Sequence, residues 1–307
     1  MPELTAEVSR SPPGSAPTPA ALAASVGRLH IVAIAALGTF TFGWLFTGHY
    51  PWLLAGVTAF DWFLVNLLNR VVDLAEDEQN GIVGTDFVRA HRRAILAAGV
   101  SALLVSFVLV HLIAPEITLL RLAAHALGVA YNWPLYPGAR RIKQLYFWKN
   151  TASATGFLLT VFGYPLAYSA RHGGLAPAIH TATIVCAGVY FFTFELSYEV
   201  IYDLRDAPGD AREGVRTYPV VHGERGAARI IDGLLAASIA ALAIGYAARV
   251  VPWRLVIMIV APVIQLVLYK RAIRRGITSA DCVRLTWLGA ALLVTYHLWI
   301  LAGLPGA

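Results

Sequence analysis

Charge is scarce in this 307-residue chain: Asp, Glu, Lys and Arg together make up 14% of it, against 58% hydrophobic residues. That balance, with a mean hydropathy of +0.63, excludes a water-soluble domain of this length. Cysteine is nearly absent. Cys186 and Cys282 fall in or beside apolar runs with no CxxC and no histidine partner, which excludes a disulfide framework or a zinc site and leaves two free buried thiols. The alternating ten-residue segments of a membrane barrel are missing. So is a basic stripe with interleaved stacking aromatics, which removes nucleic acid as a partner. The first residues lack the basic start and short apolar core of a cleaved signal. Residues 1–27, rich in Pro, Ala and Ser, are expected to form a disordered tail ahead of one domain over residues 28–304.

What the chain does have is long apolar runs. Nine of them, near 29–48, 51–69, 94–114, 117–135, 151–169, 177–202, 230–248, 253–269 and 284–303, come close to the roughly 20 residues that carry a helix across about 30 Å of hydrocarbon. The expected fold is an all-α membrane protein, nine transmembrane helices in a single bundle. If the tail is cytoplasmic, the inside loops collect Arg89, Arg92, Arg93, Arg140, Arg141, Lys143, Arg205, Arg212, Arg216, Arg225, Lys270, Arg271, Arg274 and Arg275. The outside loops keep little beyond Arg171, Arg249 and Arg254. This is the positive-inside asymmetry, and it accounts for the net charge of +6. A multi-pass protein of the plasma (inner) membrane is expected.

Two acidic clusters interrupt this pattern. "NRVVDLAED" follows an apolar run and spaces Asn69, Asp73 and Asp77 four apart, which puts them on one face of a helix descending from the membrane. "FELSYEVIYDLRDAPGD" carries Glu195, Glu199, Asp203, Asp206 and Asp210 on the same predicted side, and Pro208-Gly209 is expected to break the helix before Asp210. Glu195 and Glu199 fall inside the sixth run, where an ionisable group costs about 2.5–3.5 kcal/mol and should face the bundle interior. An isolated pair of acids at a helix end is usually a solvated cap. Two clusters on one side instead suggest a shared cavity holding hard cations, and Mg²⁺ takes one or two carboxylates and completes its shell with water and phosphate oxygens.

A diphosphate clamped between such ions also needs basic side chains. "YNWPLYPGARRIKQLYFWKN" supplies Arg140, Arg141, Lys143 and Lys149 among Tyr131, Trp133, Tyr136, Tyr146 and Trp148. The plainer reading of the same loop is topogenic charge with interfacial aromatics. The lone histidines His30, His111, His125, His180 and His297 read as helix-packing hydrogen bonds, and Asp61, Asp232 and Arg121 as interfacial or paired inside the bundle.

These residues together resemble the UbiA-type intramembrane prenyltransferases. "NRVVDLAEDEQN" is similar to that family's N-x-x-x-D-x-x-x-D-x-x-N motif. "EVIYDLRDAPGDAREGVRTYPVVHG" is similar to its D-x-x-x-D followed by G-x-x-T-x-P and a closing glycine, at Asp206, Asp210, Gly214, Thr217, Pro219 and Gly223. The basic loop resembles its Y-[NS]-x-P segment and the Lys-Asn that opens the fifth helix. Two departures stand out: "GIVGT" replaces the usual Pro-Arg-Thr after Asn80, and Arg70 follows Asn69 where many members have Asp.

The resemblance implies Mg²⁺ held by Asn69, Asp73, Asp77, Asp206 and Asp210, with the four aspartates catalytic. It implies a diphosphate bound by Asn69, Arg141, Lys143, Lys149 and Tyr202, and transfer of a prenyl group from an isoprenyl diphosphate to a lipophilic or aromatic acceptor. Membrane lipid is the remaining partner, and the active-site loops are cytoplasmic. Two other readings stay open on the residues alone. One is phosphoribosyl transfer to a polyprenyl phosphate on the same fold; the other is a cation-coupled transporter with its acids as the ion site.

Overall fold

Apolar runs of this length have one economical solution in lipid, because every backbone N–H and C=O must be bonded within the segment. The computed structural model describes residues 18–79, 81–135, 141–212 and 214–303. Asn80, Tyr136 and Arg140, which carry expectations above, lie outside the described residues. Thirteen α-helices follow one another among those described: α1 Pro19–Val26, α2 Leu29–Thr47, α3 Trp52–Val72, α4 Leu74–Gln79, α5 Thr85–Ile113, α6 Thr118–Asn132, α7 Trp148–Leu158, α8 Tyr164–Ser169, α9 Thr181–Arg212, α10 Tyr218–Ala247, α11 Trp253–Val256, α12 Val260–Ile273 and α13 Ser279–Leu301.

Seven of the helical segments are long and apolar enough to cross a membrane: α2, α3, α5, α9, α10, the α11–α12 segment Trp253–Ile273, and α13. This is an integral membrane protein. The remaining two of the nine expected crossings are helical but do not reach that length unbroken. Helix α6 has 15 residues after a short 3₁₀ turn, Pro115–Ile117. The fifth run is divided by a π turn at Leu159–Gly163 between α7 and α8. Pro165 gives the reason for that division: it has no N–H to donate, and its ring would press on the carbonyl one turn back in a regular α-helix. The wider turn also brings Thr160 under Trp62, whose Nε1 donates to Thr160 Oγ1 at 3.0 Å.

Helix α2 lies between α3 and α13, so the last helix returns beside the first long one, and α9 and α10 form the most extensive helical pair. Phe42, Phe46, Phe162 and Phe191 interlock in the interior, Phe42 with Phe191 and Phe46 with Phe162 edge to face and the other pairs tilted. Leu104, Val108 and Leu112 on α5 stay exposed, as a lipid-facing row does.

Three expectations need correction. Residues 18–27 are not structureless: in α1, Ser25 Oγ donates to Val83 O (2.8 Å), and Val26 packs with Val71 and Val88. Gly84, at φ 88°, makes that docking possible, since a Cβ there would meet Val26 at 2.7 Å. Asn69, Asp73 and Asp77 do not share one helix, because α3 ends at Val72. The break is slight: Asp73 N–H still donates to Asn69 O (2.9 Å) and Asp77 N–H to Asp73 O (2.8 Å), so the three stay in register. Finally, Pro208 does not end α9, which runs on to Arg212. One lost hydrogen bond near a helix end is offset by a lysine that ties carboxylates before and after the proline.

Candidate functional site

Helices α2, α3, α6, α7 and α9 surround a cavity of about 1680 Å³, counting its opening to solvent. Asn69, Asp73 and Asp77 line one side of it, while Asp203 and Asp206 line the other. Asp73 and Asp77 are buried, and each is met by cations. Arg141 Nη1 (3.0 Å) and Lys143 Nζ (2.7 Å) both reach Asp73 Oδ1. Arg70, itself fully buried, donates to Asp77 Oδ2 at 2.5 Å, and Arg28 stands 3.9 Å from Asp77 Oδ1. Burial pushes the Asp77 carboxyl above its usual range, although Arg28 and Arg70 oppose that. With its amide oriented to suit its neighbours, Asn69 donates to Asp73 Oδ2 (2.7 Å) and to Asn132, and accepts from Arg28 Nη1 (3.2 Å).

On the α9 side Lys149 is the centre. Its Nζ lies 2.8 Å from Asp203 Oδ1 and 3.3 Å from Asp210 Oδ2, and Asn150 donates to Asp203 Oδ2 at 2.8 Å. Asp206 pairs with its neighbour Arg205 at 2.5 Å. Asp210 is reached through Lys149 rather than lining the cavity itself. Tyr202 lines the cavity, gives its hydroxyl to a bond with Thr286 (2.9 Å) and carries the Arg205 guanidinium over its ring at 4.9 Å.

The end of the α6–α7 loop and the start of α7 therefore span both acidic sides, Arg141 and Lys143 of the loop going to Asp73 and Lys149 of α7 to Asp203 and Asp210. Phe147, at the turn into α7, has φ 68°, a conformation that costs a non-glycine residue about 1–3 kcal/mol. It stands two residues before Lys149, where the loop has to reverse to reach the second set. Beyond the loop, Gly214 takes φ 70°, Thr217 is the N-cap of α10, Pro219 lies in its first turn, and Gly223 at φ 68° kinks it. That kink leaves His222 hydrogen-bonded to Tyr146 Oη at 2.6 Å.

Arg28 escaped the sequence reading, because it stood at the assumed end of a disordered tail. Asn132 and Asn150 fell inside the quoted motifs, and Asp203 inside the second acidic cluster, but none of the three was given a role. Asp203 did have a signal: it is seven residues from Asp210, two turns along one face, a spacing hidden by the expected break at Pro208. Deeper in the cavity wall, Asp61 accepts from Arg121 (2.5 and 3.0 Å) and Tyr164 Oη (2.9 Å). His125 Nε2 lies 3.2 Å from Asp61 but off line for a hydrogen bond. Asp232 pairs with Lys270 at 2.6 Å. Cys186 and Cys282 are free thiols.

An all-helical integral membrane protein with two carboxylate sets bridged by one basic loop over a shared cavity is the class defined so far. Residues 29–289 match the UbiA prenyltransferase family, and the chain belongs to that family. The digeranylgeranylglyceryl phosphate synthase of Sulfolobus acidocaldarius is 35% identical over 104 residues, which span 33% of this chain and 34% of that relative's length. A UbiA homolog from Archaeoglobus fulgidus, solved bound to DMAPP and Mg²⁺, superposes with a TM-score of 0.67 at 14% identity, covering 92% of this chain and 99% of that one. The UbiA homolog from Aeropyrum pernix K1 gives 0.62 at 16% identity over 90% and 98%.

Proposed function

We propose that the protein transfers a prenyl group from an isoprenyl diphosphate to a lipophilic acceptor and releases diphosphate. The observation that carries this reading is the composition of one cavity wall: Asp73 and Asp77 face Asp203 and Asp206, with Lys143 and Lys149 between them and apolar side chains such as Trp62, Val65 and Phe157 beyond. A molecule with an ionic head and a hydrocarbon tail matches that division.

Asn69, Asp73 and Asp77 on one side, and Asp203, Asp206 and Asp210 on the other, would hold Mg²⁺, because every donor is a hard oxygen. Among the described residues no three His, Cys, Asp or Glu converge on one point. This suits an ion that draws the rest of its shell from phosphate and water. When bound, it neutralises the charge that develops on the leaving diphosphate. Lys143, Lys149 and Arg141 are within reach to bind the diphosphate oxygens, Tyr202 positions Arg205, and the faces of Trp62, Phe157 and Tyr198 stabilise positive charge on the allylic carbon as its bond to oxygen breaks.

Purified full-length protein in detergent, given geranyl diphosphate, Mg²⁺ and a panel of lipophilic acceptors, is expected to release diphosphate. Release should stop with EDTA and resume on adding Mg²⁺. No release with any donor, or undiminished release under EDTA, overturns the reading. Lys143→Ala and Lys149→Ala are each expected to raise the donor KM or lower kcat at least tenfold, about 1.4 kcal/mol. Wild-type kinetics in both would leave the loop as a topological signal only.

We infer further that α6 and the α7–α8 segment also cross, giving nine spans in the plasma membrane with both acidic sets cytoplasmic. The basic residues gathered at Arg89–Arg93, Arg140–Lys143, Arg205–Arg225 and Lys270–Arg275 support it. In right-side-out vesicles Arg171→Cys should react with an impermeant maleimide while Arg212→Cys should not. The opposite pattern reverses the orientation.

A further inference from the structure

The ionic cavity borders a second one. A space of about 990 Å³ between α2, α9, α12 and α13 adjoins it, and Ile34, Phe157, Glu195 and Tyr198 border both. Hydrophobic and aromatic residues are natural at such a throat; a carboxylate is not. Glu195 is the single acidic or basic residue on the second cavity's described wall. It makes no hydrogen bond or ion pair with any described residue, whereas its neighbours are engaged: Glu199 accepts from Ser153 (2.7 Å), and Asp203 from Lys149 and Asn150. A carboxyl group in an apolar helix costs about 2.5–3.5 kcal/mol.

Its position along the helix is informative. Glu195, Glu199 and Asp203 follow at intervals of four on one face of α9, so Glu195 lies about 12 Å from Asp203 along the axis. A nucleophile attacks from about 3–3.5 Å, and a general base takes its proton over about 2.6–3.2 Å. Together these occupy about half of the interval, and the rest accommodates one phosphate and its allylic carbon. The base then stands on the side of the reacting carbon away from the diphosphate, as in-line displacement needs.

We propose that Glu195 is the general base of the transfer step and that the acceptor is a lipophilic molecule reacting through a hydroxyl. This rests on the prenyl-transfer reading above. The donor's carbon–oxygen bond breaks, with its electron pair leaving on the diphosphate. The acceptor oxygen uses a lone pair to form the ether bond to the allylic carbon, and its proton passes to the Glu195 carboxylate. A hydroxyl also hydrogen-bonds that carboxylate before reaction, which a ring C–H does not, so one contact both orients and activates it. The second cavity offers no lysine, arginine or histidine among its described lining residues, so the part of a substrate lying there is uncharged.

The test uses full-length protein in detergent with geranyl diphosphate, Mg²⁺ and three hydroxyl acceptors: a twenty-carbon alcohol, a prenylated glycerol with one free hydroxyl, and an alkylphenol. Diphosphate and ether product are measured separately. Glu195→Gln is expected to lower ether formation at least hundredfold, in the range of general-base catalysis, with the donor KM within threefold of wild type and an unchanged melting temperature. Glu195→Asp should recover part of the loss. Ether formation at the wild-type rate in Glu195→Gln overturns the proposal. So does an equal loss of donor binding, which would put Glu195 in the diphosphate site, and so does a wild-type protein that releases diphosphate but joins carbon to carbon. If the wild type releases no diphosphate at all, the prenyl-transfer reading itself has failed, and this inference falls with it.

Discussion

Asp73→Ala and Asp206→Ala are each expected to lower kcat about a thousandfold, roughly 4 kcal/mol of transition-state stabilisation, in protein that still inserts and folds. Each substitution removes a carboxylate from the wall of the cavity rather than an apolar side chain from between helices. Asp73 holds Arg141, Lys143 and Asn69 in place, so its loss takes away a metal donor and loosens the basic loop together. Asp206 is partly exposed and pairs with the adjacent Arg205, so its loss leaves the helix packing alone. Asp86→Ala is the control, because Asp86 is exposed, pairs among the described residues only with Arg89 and lies outside the cavity. Diphosphate release at saturating donor, together with melting in detergent, separates the outcomes. Wild-type rates in both cavity variants would reduce the acidic clusters to surface charge.

The second large effect is on stability. Arg121→Leu is expected to destabilise the protein by about 3–5 kcal/mol, because it leaves Asp61 buried without the guanidinium that supplies two of its hydrogen bonds. The guanidinium also bonds the Ser106 carbonyl and hydroxyl at 3.1 Å and lies 4.4 Å over Phe107, so α3, α5 and α6 all lose a contact. The Asp61→Leu/Arg121→Leu double variant should regain much of that loss, since a buried pair replaced by hydrocarbon often costs little. A single variant that melts with the wild type would show that water or lipid headgroups already serve Asp61.

The helices were legible because lipid leaves so few alternatives: the body of each of the nine apolar runs is helical, with only run ends such as 133–135 and 177–180 outside the helices. What the runs could not show was how they break. A proline reads as a stop, yet Pro208 sits inside α9 while Pro165 forces a π turn, and the difference lies in what flanks each. Lys149 ties Asp203 to Asp210 across Pro208, and those contacts span 54 and 61 positions, beyond any local pattern. Spacing located Asn69, Asp73 and Asp77 correctly on one side although the helix itself ends between them. Arg28 was illegible for a different reason: it lies beside a low-complexity tail, and only the docking of α1 shows where the bundle begins. The motifs named the acids, but the assignment of each base to its acid needed three dimensions.

That assignment has a further consequence. Asp73, Asp77, Asp203, Asp206 and Asp210 are five carboxylates met by Arg28, Arg70, Arg141, Lys143, Lys149 and Arg205, six cations. The site thus carries almost no net charge, and a diphosphate arriving with divalent cations adds little more. On the proposed function, capture of the donor would be an ion exchange, one set of contacts traded for another, rather than attraction down a potential. Such a trade should be nearly indifferent to ionic strength over the Debye range, about 8 Å in physiological salt, and its rate would then follow how fast Lys149 and Arg141 let go of their carboxylates.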